Sequence, residues 1–150
     1  MVEGAGSPAE VNLRAGDIAN MGFATVANIP VFIVGDIERG GVIASLIGTV
    51  QLLEPEERKL IRGAIVNKFR GDIEILKPGF KKLRKMTGLP VFGTIPLVDF
   101  DIPDEDSIGT SSKNLKWNST SLKKLDKEIN KIAKVVKSSL NIRQVEKLLN

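Results

Sequence analysis

The sequence contains no cysteine and no histidine, and these two absences exclude several kinds of chemistry. Without cysteine there is no disulfide and no thiolate nucleophile; the compartment is left open, with the cytoplasm as the default expectation. Without histidine the chain lacks the commonest general base and metal ligand, so neither a Ser-His-Asp nor a Cys-His nucleophile can form within it. No apolar run approaches the ~18 residues of a membrane span, so we expect no membrane partner.

The charge of the chain is segregated along its length. Residues 1–110 hold 12 Lys and Arg against 15 Asp and Glu, whereas residues 111–150 hold 10 against 3. A basic segment of this kind can bind nucleic acid. The segment has a single aromatic residue, Trp117, and no arginine-rich cluster, so nucleic acid is not an expected partner. At 150 residues and 42% hydrophobic content, the chain can form one domain with a sizeable core.

Short apolar runs recur about every thirty residues, which is the spacing of repeated right-handed βαβ units. The runs begin near residues 2, 31, 63 and 91. Between them, apolar residues at helical spacing predict helices within 16–27, 42–53 and 73–87, the last ended by Gly88. We therefore predict an α/β fold with a parallel, doubly wound sheet.

The last forty residues differ from this pattern. Residues 109–121 are polar and predict a linker, whereas residues 122–150 carry apolar side chains every three or four positions and predict a helical tail. Asn141 and Gln144 predict a cap for a short final helix. The predicted divisions are therefore 1–108, 109–121 and 122–150.

Two polar residues follow predicted strands, where ligands of open α/β sheets bind. Asn67 ends the apolar run 64–66; an amide there can donate to and accept from the edge of adenine, or it can simply cap the next helix. Glu3 ends the first run and enters a glycine-rich turn. Its carboxylate could hold a Mg²⁺ that bridges phosphate oxygens, or be an exposed acid in a polar turn.

Several segments together resemble the cobyric acid synthase family, the glutamine-dependent amidotransferases of cobalamin biosynthesis, relatives of dethiobiotin synthetase. The segments are EGAGSPAEVNL, DIERGGVIASLIGT, LLEPEER, GAIVNKFRGD, LKPGF, TGLPVFGTIP and DEDS. They fall in the family's order within residues 1–108, nearly without gaps. Residues 122–149 are also similar to the family's final helices. The resemblance implies a P-loop NTPase fold of the dethiobiotin synthetase type.

The resemblance also implies roles for individual residues. Glu3 matches the acidic Mg²⁺ ligand, Asn67 matches the asparagine that binds adenine, and Pro96 matches a residue that flanks the adenine. The loops that face the corrinoid substrate or the phosphates are matched by Ser7, Glu10, Asp36, Arg39, Gly40 and Gly41. The implied cofactors are ATP and Mg²⁺. The implied reaction amidates carboxylates of adenosylcobyrinic diamide with glutamine-derived ammonia, and no side chain of this chain is assigned a catalytic role.

Two features of the family are not matched. The segment GDIERGG, residues 35–41, has the glycine spacing of a G-x-x-x-x-G-K-[ST] phosphate loop, but Gly41 stands where Lys is required. The Cys-His glutaminase is also not matched. We therefore expect a domain truncated at its N-terminus, without independent ligase activity.

Two other functions fit the sequence less fully. A split-enzyme or assembly subunit would need a partner chain that supplies the phosphate-loop segment. A ParA-like partition ATPase would share the fold class, but it would need its own phosphate loop and fits EGAGSPAE poorly.

The predicted strand at 30–34 has a further consequence. In the family, the strand that carries the phosphate loop lies between this strand and the one that ends at Glu3. Without it the strand at 30–34 has a free edge, which predicts self-association or aggregation unless the helices at 122–149 cover the edge.

Overall fold

The computed structural model describes residues 1–102 and 119–148, and its centre is a sheet of three parallel strands. These strands are β1 (Val31–Asp36), β2 (Ile61–Phe69) and β3 (Val91–Pro96), in the spatial order β1-β2-β3. Each consists largely of apolar and β-branched residues, as expected of buried parallel strands. The predicted strands at 31, 63 and 91 and the α/β fold class are therefore confirmed.

Six α-helices accompany the sheet in the described residues, together with three short 3-10 turns. The helices are α1 (Met21–Ala27), α2 (Val42–Leu52), α3 (Pro55–Arg58), α4 (Lys77–Thr87), α5 (Ser119–Ser139) and α6 (Ile142–Glu146). The 3-10 turns are Arg14–Gly16, Ile37–Arg39 and Ile73–Leu76. Gly88 ends α4 in the left-handed conformation, with φ 76°, as its position predicts.

The strand predicted near residue 2 is not formed. Residues 1–5 lie outside any strand, and Met1 and Val2 are exposed. Only two apolar residues precede the glycine-rich turn, and Gly6 already has a left-handed φ of 66°. So short a segment offers too few ladder hydrogen bonds to offset the entropy of ordering it. The described sheet therefore has three strands where the sequence predicts four.

The core lies between the sheet and the helices that connect its strands. It contains Met21, Ala24, Ile33, Val42, Leu46, Val50, Leu53, Leu60, Ile61, Ala64, Val66 and Leu83. Val66 in the central strand is 0% exposed and Leu83 of α4 is 1% exposed. Burying one such side chain contributes about 1.5–3 kcal/mol, so this cluster is the main source of stability in the sheet.

One glycine of β2 makes room for an aromatic contact across the sheet. Gly63 pairs with Phe32 of β1, and the ring of Phe92 from β3 lies where a side chain at position 63 would be. The rings of Phe32 and Phe92 meet edge to face, with centroids 5.1 Å apart and planes at 87°. The close approach explains a glycine in the middle of a central strand.

The C-terminal helices pack on the β3 side of the sheet. Leu140, just after α5, forms an antiparallel bridge with Gly93. The N–H of Asn141 donates to the carbonyl of Phe92 at 3.0 Å. The side chain of Asn141 caps α6 by accepting from the N–H of Gln144, as predicted. Leu140 and Asn141 thus contact the edge of the sheet opposite to that of β1.

The predicted linker lies mostly outside the described residues. Residues 109–118 are not among them, and the last positions of the proposed linker, 119–121, already belong to α5. The helical tail thus begins three residues earlier than its apolar pattern predicts. The reason is chemical: serine and threonine, which fill residues 119–121, are common in a first helical turn, yet they carry no apolar signal.

Candidate functional site

The carboxyl ends of the three strands bring together three of the predicted site residues. Asp36 ends β1 and is the register partner of Asn67 on β2. Pro96 ends β3 and is the register partner of Phe69. The N–H of Leu97 also donates to the carbonyl of Phe69 at 3.0 Å, which continues the ladder beyond β3. This edge is where ligands bind in open α/β sheets.

The backbone of β2 is irregular at this edge. Val66 pairs with Thr94 and Phe69 with Pro96, so β2 has one residue more than β3 between the two pairs. Lys68 lies within this bulge and has a left-handed φ of 61°, a conformation that few residues other than glycine adopt. Its N–H donates to Oδ1 of Asn67 at 2.9 Å.

This geometry bears on the alternative that Asn67 only caps the next helix. The next helical turn, Ile73–Leu76, is capped by Asp72, whose carboxylate accepts from the N–H of Glu74 at 2.9 Å. Asn67 therefore caps no helix. Its side chain is half-buried, and within residues 1–102 and 119–148 its Nδ2 group donates to no protein atom.

Two ion pairs join the end of β1 to the end of β2. The ammonium of Lys68 lies 2.8 Å from Oδ2 of Asp36, and the guanidinium of Arg70 lies 2.8 Å from Oε1 of Glu38. The hydrogen bond from Lys68, followed by that from the N–H of Glu38, holds the pKa of Asp36 below its ordinary value. Asp36 is therefore ionised at neutral pH and already paired.

The glycine-rich loop between β1 and α2 is the third part of this edge. Asp36 accepts from the N–H of Glu38 at 2.9 Å and so begins the 3-10 turn. Gly40 and Gly41 follow with φ of 74° and 61°, and Gly41 is the N-cap of α2. Arg39 is exposed, and its guanidinium has no hydrogen bond or ion pair in the part of the chain that the structure describes.

Ser7 and Glu10 lie in a separate loop. They line a cleft of about 200 Å³ against residues 13–20. The hydroxyl of Ser7 accepts from the N–H of Ala9 at 3.2 Å, so it stabilises its own turn. Within residues 1–102 and 119–148, no hydrogen bond or ion pair joins Ser7 or Glu10 to Asp36 or Arg39. The residues predicted to face substrate thus form two groups.

The predicted metal ligand Glu3 is exposed in the N-terminal segment. Among the described residues, no three Asp or Glu side chains come together in a group that could hold a metal ion. The role of Glu3 in binding Mg²⁺ stays a prediction.

Three charged residues at the edge, Glu38, Lys68 and Arg70, were not among the predicted site residues. A signal for them is present in the sequence, because two acids two positions apart lie at the end of the apolar run that begins near residue 31, and two bases two positions apart lie at the end of the next. Adjacent parallel strands place such pairs side by side. Which strands are adjacent, however, is settled only by the sheet order.

The parallel sheet, with a glycine-rich loop at its carboxyl edge, makes this chain an α/β protein of the parallel-sheet class. A family model described as "AAA domain" matches residues 1–100. The chain therefore belongs to this family, which is one of P-loop NTPases.

Cobyric acid synthases are among the relatives of the chain. It is 58% identical over 108 residues to the one from Alkaliphilus metalliredigens and 60% identical over 109 residues to the one from Carboxydothermus hydrogenoformans. Each match covers 72% of this chain and 22% of the relative. The one from Yersinia enterocolitica is 51% identical over 126 residues, which are 84% of this chain and 24% of the relative. The chain thus spans less than a quarter of the length of these relatives.

No solved structure matches the chain. In the described residues, no helix combines the length and the apolar character needed to cross a membrane.

Proposed function

We propose that this chain provides the adenine-binding and substrate-facing part of an ATP-dependent amide ligase of cobalamin biosynthesis. The proposal rests on one observation above all. The segment shared with the cobyric acid synthases places the carboxamide of Asn67 at the carboxyl edge of the central strand, with an unused donor. In such a ligase, ATP phosphorylates a carboxylate of the corrinoid substrate. Ammonia then displaces the phosphate to form the amide.

The residues at the edge fit an adenine base. Nδ2 of Asn67 can donate to a ring nitrogen, and Oδ1, which holds one N–H already, has a second lone pair for the exocyclic amine. Pro96 is exposed at the end of the neighbouring strand and can flank the ring. When bound, ATP would supply the phosphoryl group, and the part of this chain is to bind and orient the base.

The glycine-rich loop fits the carboxylates of a corrinoid. Arg39 is exposed, and its guanidinium makes no hydrogen bond or close ion pair within the described residues, so it can bind a carboxylate in a bidentate manner. Gly40 and Gly41 beside it have no side chains, so a large ligand can approach the backbone closely. Ser7 and Glu10 would contribute a second substrate contact from the N-terminal loop, and Glu3 would bind Mg²⁺.

A second part of the proposal concerns the phosphates. The G-x-x-x-x-G-K-[ST] motif does not occur in the 150 residues, and Gly41 lacks the side chain that would neutralise phosphate charge. We propose that another segment or a partner chain supplies this function. By itself the chain should then form no amide from adenosylcobyrinic diamide, ATP and ammonia above the control without protein.

A chimera tests the proposed function directly. Residues 1–108 replace the matching segment of the Alkaliphilus metalliredigens cobyric acid synthase, and amide formation is measured with ATP and glutamine. We expect activity within about tenfold of the parent enzyme, and a raised KM for ATP when the chimera carries Asn67→Ala. A folded chimera without activity would contradict the proposal.

A further inference from the structure

The chain contains the same four residues, GDIE, near the ends of two strands. The two segments form the same turn but differ in the side chain that contacts their aspartate. The segments are Gly35–Glu38, which includes the last two residues of β1, and Gly71–Glu74, which follows β2. In both, the aspartate accepts from the N–H of the glutamate two positions on, at 2.9 Å, and begins a 3-10 turn. An aspartate is therefore sufficient to form this turn.

Only the first of the two turns has a lysine from the neighbouring strand. Lys68 pairs with Asp36 at 2.8 Å, whereas Asp72 has no ion pair in the part of the chain that the structure describes. The side chain of Lys68 is 43% exposed and that of Asp36 is 28% exposed, so neither is buried enough to require a partner. Since the twin turn forms without a lysine on its aspartate, the pairing of Lys68 with Asp36 serves something other than the turn.

The backbone of Lys68 is also unusual. A left-handed φ of 61° is unfavourable for a residue with a long side chain, and such conformations concentrate at functional sites. The extra residue of β2 between Val66 and Phe69 produces it. As a result the N–H of Lys68 turns onto Oδ1 of Asn67, while its side chain reaches Asp36.

The two contacts of Lys68 therefore lead to two different parts of the edge. The backbone N–H of Lys68 binds Oδ1 of Asn67 and so fixes the orientation of the carboxamide. The ammonium binds Asp36 and so fixes the start of the loop from Ile37 to Gly41. We propose that Lys68 is a positioning residue that orients Asn67 for base selection and, through Asp36, holds the substrate-facing loop beside it. This inference rests on the proposed function, because it takes Asn67 to contact the base.

The proposal changes the role of one predicted residue. Asp36, matched to the substrate-facing loop, is already paired with Lys68 and with the N–H of Glu38. It therefore holds the loop in place, and contact with the substrate is left to Arg39 and the two glycines. Lys68 in turn is not a phosphate-binding lysine, since its ammonium is engaged by Asp36.

Three variants of the full chain separate positioning from stability. Lys68→Gly keeps the left-handed backbone without strain and removes the ammonium. Lys68→Arg keeps a charge that can reach Asp36. Lys77→Ala is the matched control, because Lys77 pairs with Glu74 in the twin turn.

The measurements are amide hydrogen exchange by NMR, the side-chain amide signals of Asn67, and calorimetric titration with ADP and with GDP. For Lys68→Gly we expect amide exchange in residues 37–41 to rise by about tenfold, because the ammonium that holds Asp36 is removed. The Asn67 signals and the preference for ADP over GDP should stay unchanged, because glycine keeps the backbone N–H that donates to Oδ1 of Asn67. The melting temperature of this variant should be unchanged or higher, because glycine relieves the strain. Lys68→Arg should restore the exchange of the loop, and Lys77→Ala should alter neither the loop exchange nor the preference for ADP.

Two results would overturn the positioning role. One is that the loop exchange stays unchanged, or that the Asn67 signals move, in Lys68→Gly. The other is that exchange rises throughout the chain and the melting temperature falls, since Lys68 would then be a general structural residue. If the wild-type chain shows no preference between ADP and GDP, the base-binding role of Asn67 is wrong. The exchange and side-chain signals then decide whether Lys68 still positions the loop.

Discussion

Three aspartates, Asp17, Asp36 and Asp72, act alike at the scale of single residues, since each accepts backbone N–H groups at a helical turn. Asp17 is the most heavily used, because it accepts from Ala19, Asn20 and Gly22 at 2.8 to 3.0 Å. These N–H groups, led by that of Asn20, lower the pKa of Asp17. In all three places, an aspartate side chain thus stabilises the start of a helical turn.

The three hydrogen bonds that Asp17 accepts lead to a prediction about how the stability of the fold depends on pH. Asp17→Ala should lower the free energy of unfolding by about 1 kcal/mol at pH 7, because the N–H of Gly22 in α1 and the two N–H groups just before the helix lose their acceptor. Since the pKa of Asp17 is lowered in the folded chain, its contribution is present above its ordinary pKa and is lost as the pH falls through the lowered one. Urea denaturation at pH 7 and in strong acid measures both effects. An equal loss at both pH values would contradict this account.

The predicted and the unpredicted site residues differ in what determines them. Asn67 and Pro96 follow apolar runs, and a run of this kind is visible in the sequence. The role of Lys68 depends on a bulge, which exists only because β2 and β3 differ by one residue between two pairs. Such a difference comes from long-range register, and no local pattern encodes it.

At the scale of elements, we predict opposite effects on the free energy of unfolding when either of two glycines is replaced by alanine. Gly63 has the ring of Phe92 where a Cβ would lie, so Gly63→Ala should lower the free energy of unfolding by about 1–3 kcal/mol. Gly48 lies inside α2, where an added Cβ would meet no atom within 4 Å, so Gly48→Ala should raise it by about 0.5–1 kcal/mol. Thermal and urea unfolding of both variants measure the difference. Equal effects would show that the Phe32–Phe92 contact does not depend on Gly63.

The elements themselves were largely predictable, and the exceptions have physical causes. The strands and α2 follow from apolar runs and helical spacing. The first strand does not form, because residues 1–5 supply too few pairing groups. The packing of the C-terminal helices on β3 rests on a close approach to Gly93, which is a contact between residues far apart in sequence.

At the scale of the whole molecule, the main structural feature is that β1 lies at the edge of the described sheet and is paired on one side alone. In the described residues β1 pairs only with β2, and Val34 on this strand is 57% exposed. An unpaired apolar edge favours pairing with another chain. We therefore predict self-association of the isolated chain. A peptide or subunit carrying the strand-loop-helix expected beside β1 should make the chain monomeric and raise its melting temperature.

Sedimentation velocity tests this prediction with a matched pair of variants. Val34→Lys places a charge on the edge strand and should shift the chain toward monomer. Ile75→Lys places the same charge at a residue that is 75% exposed but lies outside the sheet, so it should leave the association unchanged. A wild-type chain that is monomeric, melts cooperatively and is indifferent to the added segment would contradict the prediction.

The central claim, that this sheet edge binds an adenine nucleotide through Asn67, is tested most directly by calorimetric titration with ADP and GDP. We predict tighter binding of ADP than of GDP. We also predict that Asn67→Ala costs on the order of 1–3 kcal/mol of ADP binding, because a paired polar contact is lost. Equal binding of the two nucleotides, or an unchanged ADP affinity in Asn67→Ala, would contradict it.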